Sequence, residues 1–427
     1  MTLQVTTLKH LWSKVEVGLA GFLLLYFLGL DVPPPLVPVI KLLSYPVLAL
    51  LLVSCWQRAL HAVTRSLPLV LLNLMAVVSV FWSAAPEFTS NESKALIRST
   101  LFGAYLAVRF GFRGQMQLLS WLLSLGMIAS LVAGLAFPAY GIHQTGEFVG
   151  AWKGVFGFKN LFASLMAISA LLFLVQTLYE PRWRRLSGLM LGLSILLLSL
   201  SQGKTAWMTF LTASSLILVY EAVKWPFKSK ALLISCISLA VCVVFGLIAF
   251  NLEFIVVDVL GKNLEFNGRM PIWTMLIEQG SQRPWLGHGY AGFWTSDAAN
   301  YMLNHSWAFG TRRAGLRFNA HSGYLELFLQ LGGVGLGLFL LSFVGVLART
   351  LYLFFRTKQV ESLWVLQFLV FTALINLADT LSIGSGGGLW SLYVSFVALT
   401  SVQCARLQHH DELPPVSRAI GYEVLLR

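Results

Sequence analysis

Apolar runs of about 20 residues recur along this 427-residue chain, each long enough to cross a hydrocarbon core. The runs are continuous, whereas a membrane barrel alternates apolar and polar residues. Only α-helices then satisfy the backbone inside a bilayer. Composition agrees: charged residues make up 11% of the chain, against about 25% in soluble domains. The expectation is an all-α polytopic membrane protein, a single transmembrane domain over 1–427 with about 12 spans. The spans fall near 15–30, 37–55, 67–82, 95–110, 117–137, 161–179, 187–201, 205–220, 231–251, 331–354, 363–378 and 389–404. Lys9 and Lys14 precede the first run and no small-residue cleavage site follows it, so that run reads as a retained span.

Lys and Arg asymmetry sets the orientation. One alternating set of short segments carries Lys9, Lys14, Arg58, Arg65, Arg109, Arg113, Arg182, Arg184 and Arg185. It continues with Lys224, Lys228, Lys230, Arg349, Arg356, Lys358, Arg406, Arg418 and Arg427, making 18 of the 30 basic residues. Both termini are therefore expected in the cytoplasm, with 405–427 a short cytoplasmic tail. The net charge of +12 is spread in small groups with no single basic face, which argues against nucleic acid. Cys55, Cys236, Cys242 and Cys404 lack metal-ligand spacing and read as buried thiols.

One long polar interval breaks the pattern. Leu252 to Gly323, between spans 9 and 10, is expected to be a long outer, periplasmic loop. It holds three of the eight histidines, His288, His305 and His321. Four places on the outer side carry ionisable groups near membrane depth: Lys159 with Asn160, Lys204, Arg269 with Arg283, and His321. If the helices bundle, these ends converge on one cavity. Guanidinium and ammonium groups hold phosphate oxygens, and a neutral imidazole can take a proton from a hydroxyl. Together they suit transfer away from a diphosphate leaving group onto an alcohol. The plain alternatives stand beside this. Lys159 and Lys204 can snorkel to the interface, Arg283 can cap a turn, His288 can be a loop residue, and the loop tryptophans can form an interfacial belt. Carboxylates are scattered, so neither a two-carboxylate hydrolase nor a metal site is expected, and no cofactor is called for.

The motifs then resemble a known group. Gly268-Arg269-Met-Pro-Ile-Trp273, Arg283-Pro-Trp-Leu-Gly-His-Gly-Tyr290, Ala320-His321-Ser-Gly-Tyr-Leu-Glu-Leu and Leu331-Gly-Gly-Val-Gly-Leu336 resemble the O-antigen ligase and polymerase superfamily. Gly154-Val-Phe-Gly-Phe-Lys159-Asn160 and Ser201-Gln-Gly-Lys204-Thr205 support the likeness, and the first of these looks most like the exopolysaccharide polymerase branch. The resemblance implies an undecaprenyl-diphosphate-linked glycan donor and a glycan or lipid-linked acceptor, joined at the outer face without a metal. It implies that Arg269 grips the diphosphate and that His321 sits beside the acceptor. Lys204 stands where many relatives carry Arg. The function expected is a membrane glycosyltransferase that polymerises lipid-linked repeats into exopolysaccharide. The alternatives are ligase-type transfer of a finished glycan to lipid A core or another acceptor, and a solute transporter. A transporter is disfavoured because no inverted repeat is visible and the cations are expected at one face, with none mid-span.

Overall fold

A computed structural model of the chain describes residues 2–223, 269–304, 318–380 and 387–412. Among them the structure is helical throughout, apart from one isolated bridge between Ile142 and Trp152. The helices are α1 (Thr2–Phe27), α2 (Val37–Val53), α3 (Trp56–Thr64), α4 (Leu67–Val78), α5 (Pro86–Arg109) and α6 (Phe112–Ala136). They continue as α7 (Lys159–Tyr179), α8 (Arg184–Leu200), α9 (Lys204–Ser214), α10 (Leu216–Val223), α11 (Arg269–Gln282) and α12 (Asp297–Asn304). The last are α13 (Gly323–Thr357), α14 (Val360–Ala378) and α15 (Gly388–Glu412).

Eight of the described helical stretches are long and apolar enough to cross a bilayer. A ninth forms if α3 and the α4 stretch, bent by 101°, count as one span. The bend falls where Pro68 enters the first turn of α4, a position proline tolerates only at a helix start. The span expected at 231–251 lies outside the described residues, as do Cys236, Cys242, His305 and the segment 381–386. Boundaries shift in three places. The fourth span belongs to a helix that begins at Pro86, the tenth to one that begins at Gly323, and α15 runs to Glu412, eight residues into the segment expected as tail.

α7, α14 and α15 form the buried centre, and α2 and α8 lie at the periphery. Small residues let the central helices approach. A Cβ on Gly103 of α5 would stand 2.4 Å from the Ser391 carbonyl oxygen of α15. Polar side chains fasten the same contacts: Trp390 Nε1 donates to Thr100 Oγ1 at 2.9 Å, and Tyr393 Oη to Ser342 Oγ at 2.8 Å. Cys55 and Cys404 are buried free thiols, as expected.

Arg98 sits midway along α5 and is buried within the bundle.

Candidate active site at the loop-rich end

The connections at 28–36, 82–86, 137–158, 201–204, 283–296 and 318–322 gather at one end of the bundle. Ala84 N donates to the His288 carbonyl, Asp31 N to that of Val155, and Trp152 N to that of Leu200. Two constellations form there.

The first is cationic. The turn from α8 to α9 is tight, with Gln202 at φ +57°. A Cβ on Gly203 would stand 2.4 Å from the Ala163 Cβ of α7. Glycine at 203 therefore brings Lys204, the first residue of α9, beside Lys159, the first residue of α7, and the two ammonium groups act on each other electrostatically. The Lys159 ammonium lies 4.4 Å from the Phe148 ring centroid, and its backbone N–H donates to His143 Nε2 at 3.3 Å. Gly154 fixes the turn that leads into α7. Its φ is +56°, and a Cβ would meet Ser130 Oγ at 2.4 Å. The His143 ring packs edge-on against Phe148 and Phe158. Burial, and then the charges of Lys153 and Lys159, hold its pKa below the usual 6.5. The imidazole is therefore neutral at neutral pH, and accepting at Nε2 puts its proton on Nδ1. α7 and α9 both start here, so two helix N-termini add their positive dipole ends to three lysines. Such a group of like charges favours an anion that bridges them.

The second constellation is built around His321. Its φ is +48°, a left-handed conformation uncommon outside glycine, and its N–H donates to Asn319 Oδ1 at 2.8 Å. The turn is clamped from both sides. Ala320 N donates to Glu326 Oε2 at 2.8 Å, and Trp273 Nε1 of α11 donates to the Ala320 carbonyl at 2.8 Å. Glu326 is buried and also accepts from Trp294 Nε1 at 2.7 Å and from Gln330 Nε2. Arg269 opens α11, one turn before Trp273 on the same helix. On the other side, glycine at 323 lets α14 approach: a Cβ there would stand 2.2 Å from Asn376 Oδ1.

The two constellations share a depth. α9 and α14 run antiparallel, and Gln367 Nε2 donates to the Ala213 carbonyl at 3.3 Å. Nine residues back along α9 is Lys204, and nine forward along α14 is Asn376, the residue packed on Gly323. Equal rise per residue brings both to one level.

Arg283 and His288 belong to a different structure. Gly332 adopts φ +64° and ψ −166°, which breaks α13. The break exposes carbonyls below it and N–H groups above it. The segment 284–289 takes up both sets. His288 N and Gly289 N donate to the Leu329 and Gln330 carbonyls at 3.0 and 2.9 Å. Gly333 N and Val334 N donate to the Pro284 and Trp285 carbonyls at 2.7 and 3.2 Å. His288 Nε2 meets the Gln279 carbonyl at 3.0 Å, and burial pushes its pKa below the usual value. Arg283 Nη1 donates to the Trp82 carbonyl at 3.3 Å, on the turn between α4 and α5. Two of the sequence blocks thus form one backbone clasp. Of the residues expected to converge, Lys159, Asn160 and Lys204 come together in one constellation and His321 stands in the other, while Arg269 opens the helix whose Trp273 clamps the His321 turn and Arg283 reaches a turn carbonyl.

Comparison with known proteins now bears on the site. Residues 187–340 match the family described as O-antigen ligase. The exopolysaccharide production protein ExoQ of Rhizobium meliloti (strain 1021) is 25% identical over 293 residues, which is 65% of this chain and 64% of that protein. The likeness read from the motifs, to the O-antigen ligase and polymerase superfamily and its exopolysaccharide branch, is borne out. The matched residues include Lys204, Arg269, Arg283 and His321. Lys159, Asn160 and His143 come from the preceding part of the chain, so the cationic constellation straddles the edge of the matched region.

Two residues of this end escaped the sequence. His143 stands in no motif, and only its contact with the Lys159 backbone reveals it. Glu326 lies inside a quoted block, but a search for paired carboxylates passes over a single one.

Proposed function

We propose that this chain transfers a glycan from a polyprenyl diphosphate to a hydroxyl acceptor at the loop-rich end, on the face turned away from the cytoplasm. The observation that carries the reading is the common level of the Lys159–Lys204 constellation and the His321 turn. In this reading Lys159, Lys204 and Arg269 hold the leaving diphosphate and neutralise the charge that grows on its bridging oxygen as the glycosidic C–O bond breaks. Asn160, one position into α7, contributes to the same cradle. His321 orients the acceptor hydroxyl and receives its proton as the new C–O bond forms. The product is a glycan lengthened on the acceptor, with polyprenyl diphosphate released.

Likeness to an exopolysaccharide production protein favours polymerisation of lipid-linked repeats. Ligase-type transfer uses the same donor chemistry and differs in the acceptor. The deciding experiment is deletion of the gene followed by analysis of the lipid-linked glycan that accumulates. Single repeats left on the lipid support a polymerase, and finished chains left there support a ligase. In vitro transfer from a purified lipid-diphosphate glycan tests the site. Arg269→Ala and His321→Ala are each expected to lower turnover by about 10²-fold or more. Near-normal transfer by both variants would remove these residues from the reaction.

A further inference from the structure

Arg98 of α5 is 5% exposed. Its Nη1 donates to Ser44 Oγ at 2.7 Å and to the Lys41 carbonyl at 3.3 Å, both on α2. Its Nη2 donates to Tyr26 Oη at 3.3 Å, at the end of α1. The rings of Tyr45, Tyr26 and Phe27 surround the guanidinium, with centroids 4.7, 5.4 and 5.5 Å from its central carbon. Nε is buried and has no acceptor. Every partner is a neutral oxygen or a ring face, and among the described residues no carboxylate reaches this group.

Arg109, eleven positions along the same helix, shows the contrast. It turns its Nε–Nη2 edge to Glu16 and grips both carboxylate oxygens at 2.7 Å. On Arg98 the same edge holds one long bond to a phenol and nothing on Nε. That edge is the fork with which arginine binds carboxylate and phosphate bidentately. A buried cation without a counter-charge is costly anywhere, and more so at membrane depth, where an ionisable group marks a site.

The surroundings point to the missing anion. Lys41 on α2 and Lys94 on α5 are exposed, and Lys94 stands one turn from Arg98. α2 lies at the edge of the bundle with Leu42, Leu43 and Tyr45 exposed, so the two lysines stand on a face turned toward the bilayer. Tyr45, the ring nearest the guanidinium, is 40% exposed and covers it from the lipid side. The Arg98 environment adjoins the candidate active site through the end of α1. Three residues beyond Tyr26, a Cβ on Gly29 would stand 2.7 Å from Leu161 Cδ2, two residues from Lys159.

We propose that Arg98, flanked by Lys41 and Lys94, is a lateral binding site for the phosphate of a membrane-embedded lipid. The open Nε–Nη2 edge takes phosphate oxygens, the two ammonium groups close around them, and the acyl or prenyl tail lies along the exposed face of α2. Two lipids carry this chemistry at the needed depth, a polyprenyl diphosphate and an anionic phospholipid. The site itself stands apart from the proposed transfer. Only the choice of the polyprenyl lipid rests on that reading, in which this site receives a lipid-linked substrate arriving sideways from the bilayer.

The test is direct binding, measured without transfer. The full chain carrying Lys159→Gln and Lys204→Gln, which silences the other cationic constellation, is placed in phosphatidylcholine nanodiscs. It is titrated with polyprenyl diphosphate and, separately, with phosphatidylglycerol, and bound lipid is read by native mass spectrometry. Adding Arg98→Gln is expected to weaken binding of at least one lipid by about tenfold or more. Adding Arg98→Lys, which keeps the charge and loses the fork, should weaken it by several-fold. Adding the exposed pair Lys41→Gln and Lys94→Gln should also weaken it by several-fold, with the melting temperature unchanged. Selective binding of polyprenyl diphosphate identifies a substrate carrier, and equal binding of phosphatidylglycerol identifies an anionic-lipid site. If neither lipid binds before Arg98 is changed, or if affinity stays within twofold in the arginine and lysine variants, the proposal is wrong. Should Arg98→Gln fail to fold, the lysine pair decides alone.

Discussion

Glu326→Gln tests how the His321 turn is held. The carboxylate places Oε2 against the Ala320 N–H at 2.8 Å and Oε1 against Trp294 Nε1 at 2.7 Å. An amide of the same shape keeps one acceptor and turns an NH2 toward the other donor. Whichever way it settles, at least one buried N–H loses its partner and meets another donor. Losing one hydrogen bond to a charged group costs about 1.5–3 kcal/mol. If the loss falls on Ala320, it acts directly on the residue beside His321, whose positive φ already requires outside support. Carried in full into the population of the productive turn, the loss lowers turnover about 10- to 150-fold. The assay is steady-state transfer from a purified lipid-diphosphate glycan, with melting temperature and donor affinity measured on the same preparation. The expected result is a fall in kcat with donor KM little changed. Turnover within twofold of wild type in a stably folded Glu326→Gln protein would refute the clamp.

The remaining predictions follow from the clasp and from the histidines. Gly332→Ala should destabilise the protein by about 2–4 kcal/mol, because an alanine at φ +64° is strained and its Cβ would stand 2.3 Å from backbone atoms of Trp285 that cannot swing aside. Gly337→Ala, where a Cβ meets nothing within 4 Å, should leave the melting temperature unchanged or slightly raised, and thermal melting in detergent compares the two. His143 and His288 both have pKa values pushed below 6.5 in the fold, chiefly by burial. As pH falls below about 6.5 the unfolded chain binds protons that the folded chain refuses, so stability should drop from that point downward. Melting curves at pH 7.5 and 5.5 should show this loss, and His143→Gln should make it shallower. A melting temperature equally independent of pH in both proteins would remove the buried neutral histidines from the account.

The sequence carries the helical architecture because apolar run length is a local property. Membrane-length runs announce α6, α7, α13 and α14 without any knowledge of their neighbours. It fails where a helix leaves the bilayer without stopping. The polar first turns of α5 from Pro86 and of α13 from Gly323 look like loop, yet tertiary contacts keep them helical. Lys159, Lys204 and His321 were readable as charges at run ends. Their common level was not, since it depends on the packing of α9 against α14. Arg283 and His288 stand in the most conspicuous motif, where His288 joins the clasp and Arg283 reaches the Trp82 carbonyl. The signal available was the repeated glycine on both partners, Gly287 and Gly289 against Gly332 and Gly333, which marks close backbone approach more than chemistry. Arg98 was hidden by its position. It follows the polar run Asn91-Glu-Ser-Lys94 and reads as part of a solvated segment, and only the rings and oxygens around it show that it is buried.

The account rests on a division of labour between two constellations at one end of the bundle. The most direct measurement takes donor binding and turnover on the same purified preparations of Lys204→Gln and His321→Ala. Lys204→Gln is expected to weaken donor binding by about tenfold. His321→Ala should bind donor as wild type does while losing turnover by about 10²-fold or more. Normal donor affinity in Lys204→Gln together with normal turnover in His321→Ala would contradict the account.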